Sequence, residues 1–333
     1  MGIAAEILGR VYALGRELDK ATTIKKSFPH PVISVGNICS GGRGKTPMVI
    51  ELIRGLRERD LDPVVLTRGY GRKEKGGIVL GYTNTEFVKS GEKRPTQSLS
   101  GAQLADLVGD EALEIFVKTG AKIIVGAKRF KNARWWLKRK GGVTSNVVFL
   151  LDDGFQHWAL ERDLDIVLYN EFDLKDSLLP LGRLREGTEA LDRADLPLKL
   201  GQDVQKFSIL PENLWNNERA LHVTTRAEGE ASYSGTKELA SLPALHLKDH
   251  TNREALLKAI HESEASEIVV GYKEAVKLMP LHLLWQYRGK AFSRSDVIEG
   301  KRLFVYGLQL RVHAEDLWLK IDYMLSERYE GWD

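Results

Sequence analysis

The chain of 333 residues carries 49 Lys or Arg and 46 Asp or Glu, which gives a formal net charge of +3 at pH 7. With 43% hydrophobic and 29% charged residues, the composition is that of a folded globular protein and excludes a disordered chain. So small a net charge gives no argument for nucleic-acid binding. The single cysteine, Cys39, excludes an intrachain disulfide framework and a cysteine-rich zinc site.

The N-terminal residues predict an amphipathic helix, because apolar residues recur there at spacings of three and four. We expect this stripe either to pack on the rest of the protein or to lie in a membrane interface, where Lys20, Lys25 and Lys26 would assist. No apolar run reaches the roughly 20 residues of a membrane span. Charged residues interrupt the pattern of a signal peptide, so a cytoplasmic protein is predicted. The stripe consists of Ile3, Ile7, Val11, Leu14 and Leu18.

Short apolar runs alternate with helical patterns up to about residue 195, which predicts a parallel α/β sheet flanked by helices. The polar residues 71–101 predict a hairpin or a mobile loop. The predicted strands are 31–35, 63–67, 122–126, 147–151 and 164–169. The predicted helices are 47–59, 106–117 and 128–140.

The pattern weakens near residue 200, where we expect a domain boundary. A second α/β set follows, with helices predicted at 252–262 and 272–278 and strands at 267–270 and 302–306. The length of the chain also suggests about two domains. The predicted regions are an N-terminal helix at 1–28, a core domain at 29–200, a smaller second α/β lobe at 201–310 and a C-terminal helix at 311–333.

A glycine-rich turn between the first strand and its helix predicts a nucleoside triphosphate site. Backbone N–H groups of such a turn and of the helix N-terminus bind phosphate oxygens. Lys45 would reach the β- and γ-phosphates, and the Thr46 hydroxyl would bind Mg²⁺. The usual motif has a glycine where Cys39 stands, and we expect this cysteine to be a packing residue. The predicted phosphate-binding residues are Gly41, Gly42, Arg43, Gly44, Lys45 and Thr46.

The apolar run 147–151 ends in Asp152 and Asp153. A carboxylate at the end of a buried strand is typical of a Mg²⁺-nucleotide site beside a phosphate loop. A plain pair of turn carboxylates is the alternative. His157 follows in the same turn, and its spacing alone fits either contact with a substrate or capping of the local backbone.

Two further features have a structural and a functional interpretation. Asp110 and Glu111 open a helix, where carboxylates also simply favour the N-terminus. Residues 118–142 contain nine Lys or Arg and no acid. A solvated face explains them, although basic residues around Trp135 also attract anionic lipid. No nucleic-acid recognition motif accompanies them.

These segments together resemble the tetraacyldisaccharide 4'-kinases of lipid A biosynthesis over about residues 30–195. The motifs that carry the resemblance are Val35-Gly-Asn-Ile-Cys-Ser-Gly-Gly-Arg-Gly-Lys-Thr-Pro47, Thr67-Arg-Gly-Tyr-Gly-Arg72, Gly109-Asp-Glu111, Leu151-Asp-Asp-Gly-Phe-Gln-His157 and Leu178-Leu-Pro-Leu-Gly-Arg-Leu-Arg-Glu186. The resemblance implies a P-loop kinase that uses ATP and Mg²⁺ at the cytoplasmic face of the inner membrane. Its acceptor would be a lipid A disaccharide 1-phosphate precursor, with the membrane surface as a partner and no nucleic acid.

The resemblance also implies roles for residues. Asp110 would be the general base and His250 would orient it. Lys45 and Arg185 would complete the catalytic set. The implied metal ligands are Thr46, Asp152, Asp153 and Glu111, and the implied substrate contacts are Tyr70, Arg129, His157 and Lys273.

The second lobe departs from the family pattern. Glu274 follows Lys273 where the family usually has aspartate. Before that lobe, Gly187 follows Glu186 where the family usually has proline. Two alternatives therefore stay open beside the lipid A kinase: a P-loop kinase for another membrane glycolipid or saccharide, and a nucleotide-binding protein with little transfer activity.

Overall fold

The computed structural model describes residues 3–142, 146–209, 220–224, 244–246, 253–278, 296–298 and 300–329. The chain forms two compact units. Unit 1 contains residues 1–68, 128–205 and 311–333, and unit 2 contains residues 69–127 and 206–310.

The described residues form helices and strands with the following bounds. The helices are α1 (Ile3–Thr22), α2 (Lys45–Arg57), α3 (Gly101–Val108), α4 (Asp110–Thr119), α5 (Arg129–Arg139), α6 (Arg253–Glu262), α7 (Tyr272–Leu278) and α8 (Asp316–Tyr329). The strands are β1 (Val32–Gly36), β2 (Asp62–Thr67), β3 (Ile78–Leu80), β4 (Asn84–Phe87), β5 (Lys93–Pro95), β6 (Lys122–Val125), β7 (Val147–Asp152), β8 (Leu164–Tyr169), β9 (Leu196–Lys199), β10 (Val204–Ile209), β11 (Ala220–Thr224), β12 (Ala244–His246), β13 (Glu267–Gly271), β14 (Asp296–Ile298) and β15 (Lys301–Val312).

The sheet of unit 1 has the strand order β2-β7-β1-β8-β9, and every pair is parallel. All residues of β1 and β7 are buried, which agrees with their almost continuous apolar sequence, since a parallel sheet is covered on both faces. Because the strands run in one direction, their carboxyl ends meet at one edge. The residues that follow β1, β2 and β7 therefore lie close together.

Aromatic residues join α5 to this sheet and α8 to α2. Phe149 of β7 lies 4.8 Å from the Phe28 ring and 6.4 Å from the Trp136 ring of α5, measured between centroids. On α2, a Cβ atom at Gly55 would come within 2.0 Å of the Trp318 ring of α8. The absence of a side chain at Gly55 is therefore what lets α8 pack against α2.

Unit 2 contains two groups of strands. Strands β3, β4 and β5 form an antiparallel meander, and β3 also pairs antiparallel with β6. In the second group, β11 is parallel to β12 and to β13, and β13 is parallel to β15, whereas β14 and β15 are antiparallel.

The two units do not follow the contiguous regions predicted at 29–200, 201–310 and 311–333. Residues 69–127 group with 206–310, because α3 and α4 pack against α7. In this contact the Lys118 ammonium lies 4.5 Å from the centre of the Tyr272 ring. The C-terminal helix α8 belongs to unit 1.

Two local predictions also differ from the structure. The helix predicted at 106–117 is divided into α3 and α4 at Gly109, which has a φ of 89°. A Cβ atom there would lie 2.8 Å from the Tyr70 carbonyl oxygen. A side chain at this position would therefore clash with that oxygen, and the positive φ would also strain its backbone. Residues 71–101 contain the meander, as the hairpin alternative predicted.

Helix α1 exposes part of its apolar stripe. The exposed fractions of Val11, Leu14 and Leu18 are 62%, 63% and 56%. These three side chains are not packed on the rest of the chain as described, which favours the interfacial interpretation of the stripe. Among the described residues, no helix has the length and apolarity needed to cross a membrane.

Candidate active site

The glycine turn connects β1 to α2 as predicted. Gly41 has a φ of 119°, and Gly44 has a φ of 84° and caps α2 without any side chain. No capping side chain therefore binds the first N–H groups of α2. These groups lie at the positive end of the helix dipole, where they can bind a ligand. Such a helix end is an anion site, and Lys45 and Thr46 are its first two residues.

The turn after β7 packs directly against this loop. A Cβ atom at Gly36 would come within 2.9 Å of the Phe155 backbone nitrogen. The Gly154 N–H donates to the Val35 carbonyl at 3.1 Å, and the Gln156 side-chain amide donates to the Asn37 carbonyl at 2.8 Å. The acidic strand end and the phosphate loop thus form one rigid edge.

A third segment of unit 1 holds the loop on its other side. The Ser40 N–H donates to the Arg183 carbonyl, and the Arg185 N–H donates to the Ile38 carbonyl, each at 2.7 Å. This antiparallel pairing positions the Arg185 guanidinium, whose Nη1 lies 2.9 Å from both carboxylate oxygens of Asp153. The backbone pairing therefore brings Arg185, to which the family resemblance assigned a catalytic role, to the phosphate loop.

The two aspartates after β7 have different environments. Asp152 is buried and accepts a hydrogen bond from the Thr67 hydroxyl at 3.0 Å. Asp153 has a φ of 51°, an uncommon conformation for an aspartate, and its Oδ1 lies 3.4 Å from Lys45 Nζ. Burial acts to raise the pKa of Asp153, but Lys45 and Arg185 outweigh it and the net pKa is lowered. Asp153 is therefore an ionised carboxylate that holds two cations at the phosphate loop.

Arg129 and His157 lie in the same unit and are largely withdrawn from solvent. Burial, followed by the charges of Arg129 and Arg162, lowers the pKa of His157 to about 4, so its imidazole is neutral at pH 7. Burial also lowers the pKa of Arg129. Arg129 Nε and His157 Nε2 are buried and have no hydrogen-bond partner among the described residues. Buried polar atoms are normally satisfied, so both are candidates for ligand contact.

The side chain of Arg43, one of the predicted phosphate-binding residues, contacts the protein itself. Its side chain is buried, and its Nε donates to the Asp173 carboxylate at 2.8 and 3.1 Å. The Arg43 N–H donates to the Gly41 carbonyl at 3.1 Å. The guanidinium is therefore engaged by the protein. The glycines at 41 and 42 are exposed, as a phosphate-binding turn requires.

Cys39 is fully buried, and burial followed by the charge of Asp173 raises its pKa to about 11. Such a thiol is protonated at neutral pH and is not a nucleophile. The expectation of a packing residue is confirmed.

The remaining predicted site residues lie in unit 2. Asp110 and Glu111 are the first residues of α4, and the Tyr70 side chain is 87% exposed. Lys273 lies in α7. His250 lies outside the described residues.

Sequence reasoning gave no role to Thr67, Arg68 or Asp173, although all three belong to this edge of unit 1. The charge of Arg68 acts on Arg129 and on His157. Thr67 and Arg68 belong to a motif that was noted, so their position directly after β2 was the available signal. Asp173 follows β8 in a segment without a motif.

No cluster of three or more His, Cys, Asp or Glu side chains that could hold a metal ion occurs in the described part of the chain. The oxygen donors at the phosphate loop are the Thr46 hydroxyl and the carboxylates of Asp152 and Asp153.

Comparison with known proteins adds independent information. The chain is 36% identical over 211 residues to the tetraacyldisaccharide 4'-kinase of Koribacter versatilis, a match that covers 61% of this chain and 58% of the relative. It is 37% identical over 190 residues to that of Aquifex aeolicus, covering 57% and 54%. The chain thus spans little more than half the length of these two curated relatives. The match to the Chlorobaculum parvum kinase is longer, with 30% identity over 304 residues, 90% of this chain and 78% of the relative.

The crystal structure of LpxK from Aquifex aeolicus in complex with ATP has a similar fold. The TM-score is 0.67 with 23% identity, and 98% of each chain is covered. The sequence profile of the family described as tetraacyldisaccharide-1-P 4'-kinase matches residues 3–261. Since that match takes in most of the chain, together with the phosphate loop and the acidic strand end, the chain belongs to the tetraacyldisaccharide-1-P 4'-kinase family.

Proposed function

We propose that the protein is an ATP-dependent kinase that phosphorylates the 4'-hydroxyl of a tetraacyl glucosamine disaccharide 1-phosphate in lipid A biosynthesis. The observation that carries this proposal is the edge of unit 1 where the exposed glycine turn, Lys45, Asp153 and Arg185 converge. Family membership supplies the substrate class.

The nucleotide is proposed to bind at the N-terminus of α2. The N–H groups of the turn and the Lys45 ammonium would hold the β- and γ-phosphates. Two cations, Lys45 and Arg185, already share the Asp153 carboxylate. These groups would neutralise the charge that spreads over the transferred phosphoryl group, the main requirement of this reaction.

The same edge fits a magnesium ion by the chemistry of its donors. Mg²⁺ prefers oxygen ligands and is commonly held by one or two carboxylates together with water and substrate phosphates. Thr46, Asp152 and Asp153 would hold it, with Glu111 assigned to the same role by resemblance. Bound there, Mg²⁺ would neutralise charge on the phosphates and orient them.

Transfer requires removal of a proton from the attacking sugar hydroxyl. Asp110 is proposed as the general base, with His250 orienting it. As the new O–P bond forms and the bond to the ADP oxygen breaks, the hydroxyl proton passes to the Asp110 carboxylate. Asp110 is the first residue of α4, at the positive end of the helix dipole.

The acceptor is proposed to contact Tyr70, Arg129, His157 and Lys273. The unpartnered Arg129 Nε and the neutral imidazole of His157 supply polar groups for an anionic saccharide. A ligand that satisfies them would remove the cost of leaving them unpaired.

The protein is further proposed to lie peripherally on the cytoplasmic face of the inner membrane. The exposed stripe of α1 supports this, and so does the polar face of α5. An apolar helix face beside basic side chains binds anionic bilayers. The exposed basic residues of and around α5 are Lys128, Lys131, Arg134, Lys138, Arg139 and Lys140.

Transfer of the labelled γ-phosphate of ATP to a tetraacyl disaccharide 1-phosphate in detergent micelles tests the proposal. We expect the label on the acceptor and none on an acceptor whose 4'-position is blocked. Binding of ATP without transfer would overturn the proposed acceptor. That result would favour another membrane saccharide as the acceptor. The family match supports this alternative, because it ends at residue 261, before the proposed acceptor contact Lys273.

A further inference from the structure

A buried ion pair adjoins the phosphate loop, and the proposed reaction does not use it. Arg43 precedes Gly44, the cap of α2, and its side chain grips the Asp173 carboxylate in a two-pronged arrangement. Arg43 is 7% exposed and Asp173 is fully buried. Two-pronged Arg–carboxylate contacts fix geometry as well as charge.

Asp173 is itself firmly held on unit 1. It opens a short 3-10 helix, Asp173–Lys175, soon after β8. Its N–H donates to the Asn170 side-chain oxygen, and its carboxylate accepts from the Asn170 N–H, each at 3.0 Å. The negative charge of Asp173 also acts on the buried Cys39 thiol and helps to raise its pKa. Asp173 therefore holds Arg43, the residue that directly follows the Ser40–Gly42 turn.

The glycine turn needs such an anchor. Gly41 and Gly42 are exposed, and glycine has more conformational freedom than any other residue. A turn that binds phosphates through its N–H groups gains affinity when those groups are fixed before the ligand arrives. The pair also matters electrostatically, because an unpaired carboxylate at this distance from the loop would repel phosphate.

We propose that Asp173 is a positioning residue for the nucleotide phosphates, acting through Arg43 to hold the glycine turn in its binding form. The inference deepens the proposed function and rests on it, since ATP is the nucleotide assumed. Asp173 touches no reacting atom, so its loss should change nucleotide affinity more than the rate of transfer.

Direct titration of ATP and Mg²⁺ into the full chain by calorimetry tests this inference without any transfer reaction. For Asp173→Asn we expect the ATP Kd to rise about tenfold, the factor that corresponds to about 1.4 kcal/mol. Arg43→Lys keeps the charge but not the two-pronged contact, and a rise of about threefold is expected. In the transfer assay, kcat at saturating ATP and the KM of the acceptor should stay within about twofold of the wild-type values.

The matched control is Asp165→Asn. In the Arg162–Asp165 pair of the same unit, Arg162 Nε donates to both carboxylate oxygens of Asp165, at 2.8 and 3.0 Å, and both side chains have low exposure. Its loss should lower thermal stability as much as Asp173→Asn does and leave the ATP Kd unchanged.

An ATP Kd within twofold of wild type in Asp173→Asn would overturn the inference, and so would an equal rise in Asp165→Asn. If Asp173→Asn fails to fold, Arg43→Lys decides, and a wild-type Kd in that variant overturns it. A wild-type protein that binds ATP but transfers nothing would refute the proposed function alone, because the inference is judged by affinity. A wild-type protein that binds no ATP would refute both.

Discussion

The parallel strands of unit 1 and those of the second sheet in unit 2 illustrate two ways in which a sequence encodes a site. At the edge of unit 1, contiguous motifs after β1, β2 and β7 contain the residues proposed to bind the nucleotide, and the parallel topology brings these motifs together. In the second sheet, the strands β11, β12, β13 and β15 carry no such motif. The proposed phosphate site is thus encoded by contiguous motifs, whereas the residues proposed to contact the acceptor are scattered along the chain.

The largest expected effect comes from Lys45→Ala, which tests the locally encoded side of this comparison. The variant removes the ammonium that lies 3.4 Å from Asp153 and is proposed to bind the phosphates. Transfer should fall by about a hundredfold or more, the scale of losing one electrostatic contact to the transition state. ATP affinity should fall as well. Lys131→Ala, an exposed lysine of the same unit, is the control, and normal ATP binding by Lys45→Ala would contradict the phosphate-loop assignment.

Gly55→Ala tests how much the stability of unit 1 depends on the C-terminal helix α8, which lies outside the motifs that match the family. The added Cβ would overlap the Trp318 ring at 2.0 Å, and overpacking of this kind costs about 1–3 kcal/mol. Denaturant unfolding measures the loss. Gly15→Ala is the matched control, because its Cβ meets no atom within 4 Å, and in a helix the alanine should stabilise by about 0.5–1 kcal/mol. Equal stability of the two variants would contradict the packing described.

Arg185→Met tests whether Arg185, which backbone pairing brings to the phosphate loop, has a role that a neighbouring arginine lacks. The variant keeps much of the side-chain volume and removes the contact to Asp153 at 2.9 Å. The KM for ATP should rise about tenfold, as expected for one charge-assisted hydrogen bond. Arg183→Met is the control, since the Arg183 side chain is paired with Asp176 instead. A similar change in both variants would show that Arg185 has no special role.

His157→Gln tests the pH dependence of stability, an effect confined to acidic pH. The pKa of His157 is lowered to about 4 in the folded protein, against about 6.5 when unfolded. Between these values the unfolded chain binds the proton and the folded chain does not, so stability falls as pH decreases from about 6.5 to about 4. The slope from this group is at most about 1.4 kcal/mol per pH unit. His157→Gln should show a shallower slope across that window, and an unchanged slope would mean that His157 is not held neutral.

The sequence predicted β1, β2, β7 and β8 of unit 1 to within one residue at each end, because buried parallel strands read as short β-branched runs. It did not predict β9. It also predicted the turn between β1 and α2, since Gly41 and Gly44 adopt positive φ there. It did not predict that residues 69–127 group with 206–310, because packing of α3 and α4 on α7 depends on contacts distant in the chain. The break at Gly109 was hidden by an apolar pattern that continues through it.

Asp173 shows why part of the site could not be predicted. Its role as a partner of Arg43 depends on two segments 130 residues apart, and neither local pattern nor charge spacing connects them. The roles proposed for Tyr70, Lys273 and His250 came from resemblance alone and stay predictions.

The central proposal is that the phosphate loop binds ATP and that Asp110 removes the proton. Asp110→Ala tests it most directly, by measuring ATP affinity and phosphate transfer in the same preparation. The account predicts an ATP Kd within about twofold of wild type and a loss of transfer of about a hundredfold or more, the lower range for a missing general base. Asp106→Ala, which removes an exposed carboxylate of unit 2 paired with Lys73, should retain both properties. Transfer at the wild-type rate by Asp110→Ala would contradict the assignment of the base and, with it, the proposed mechanism.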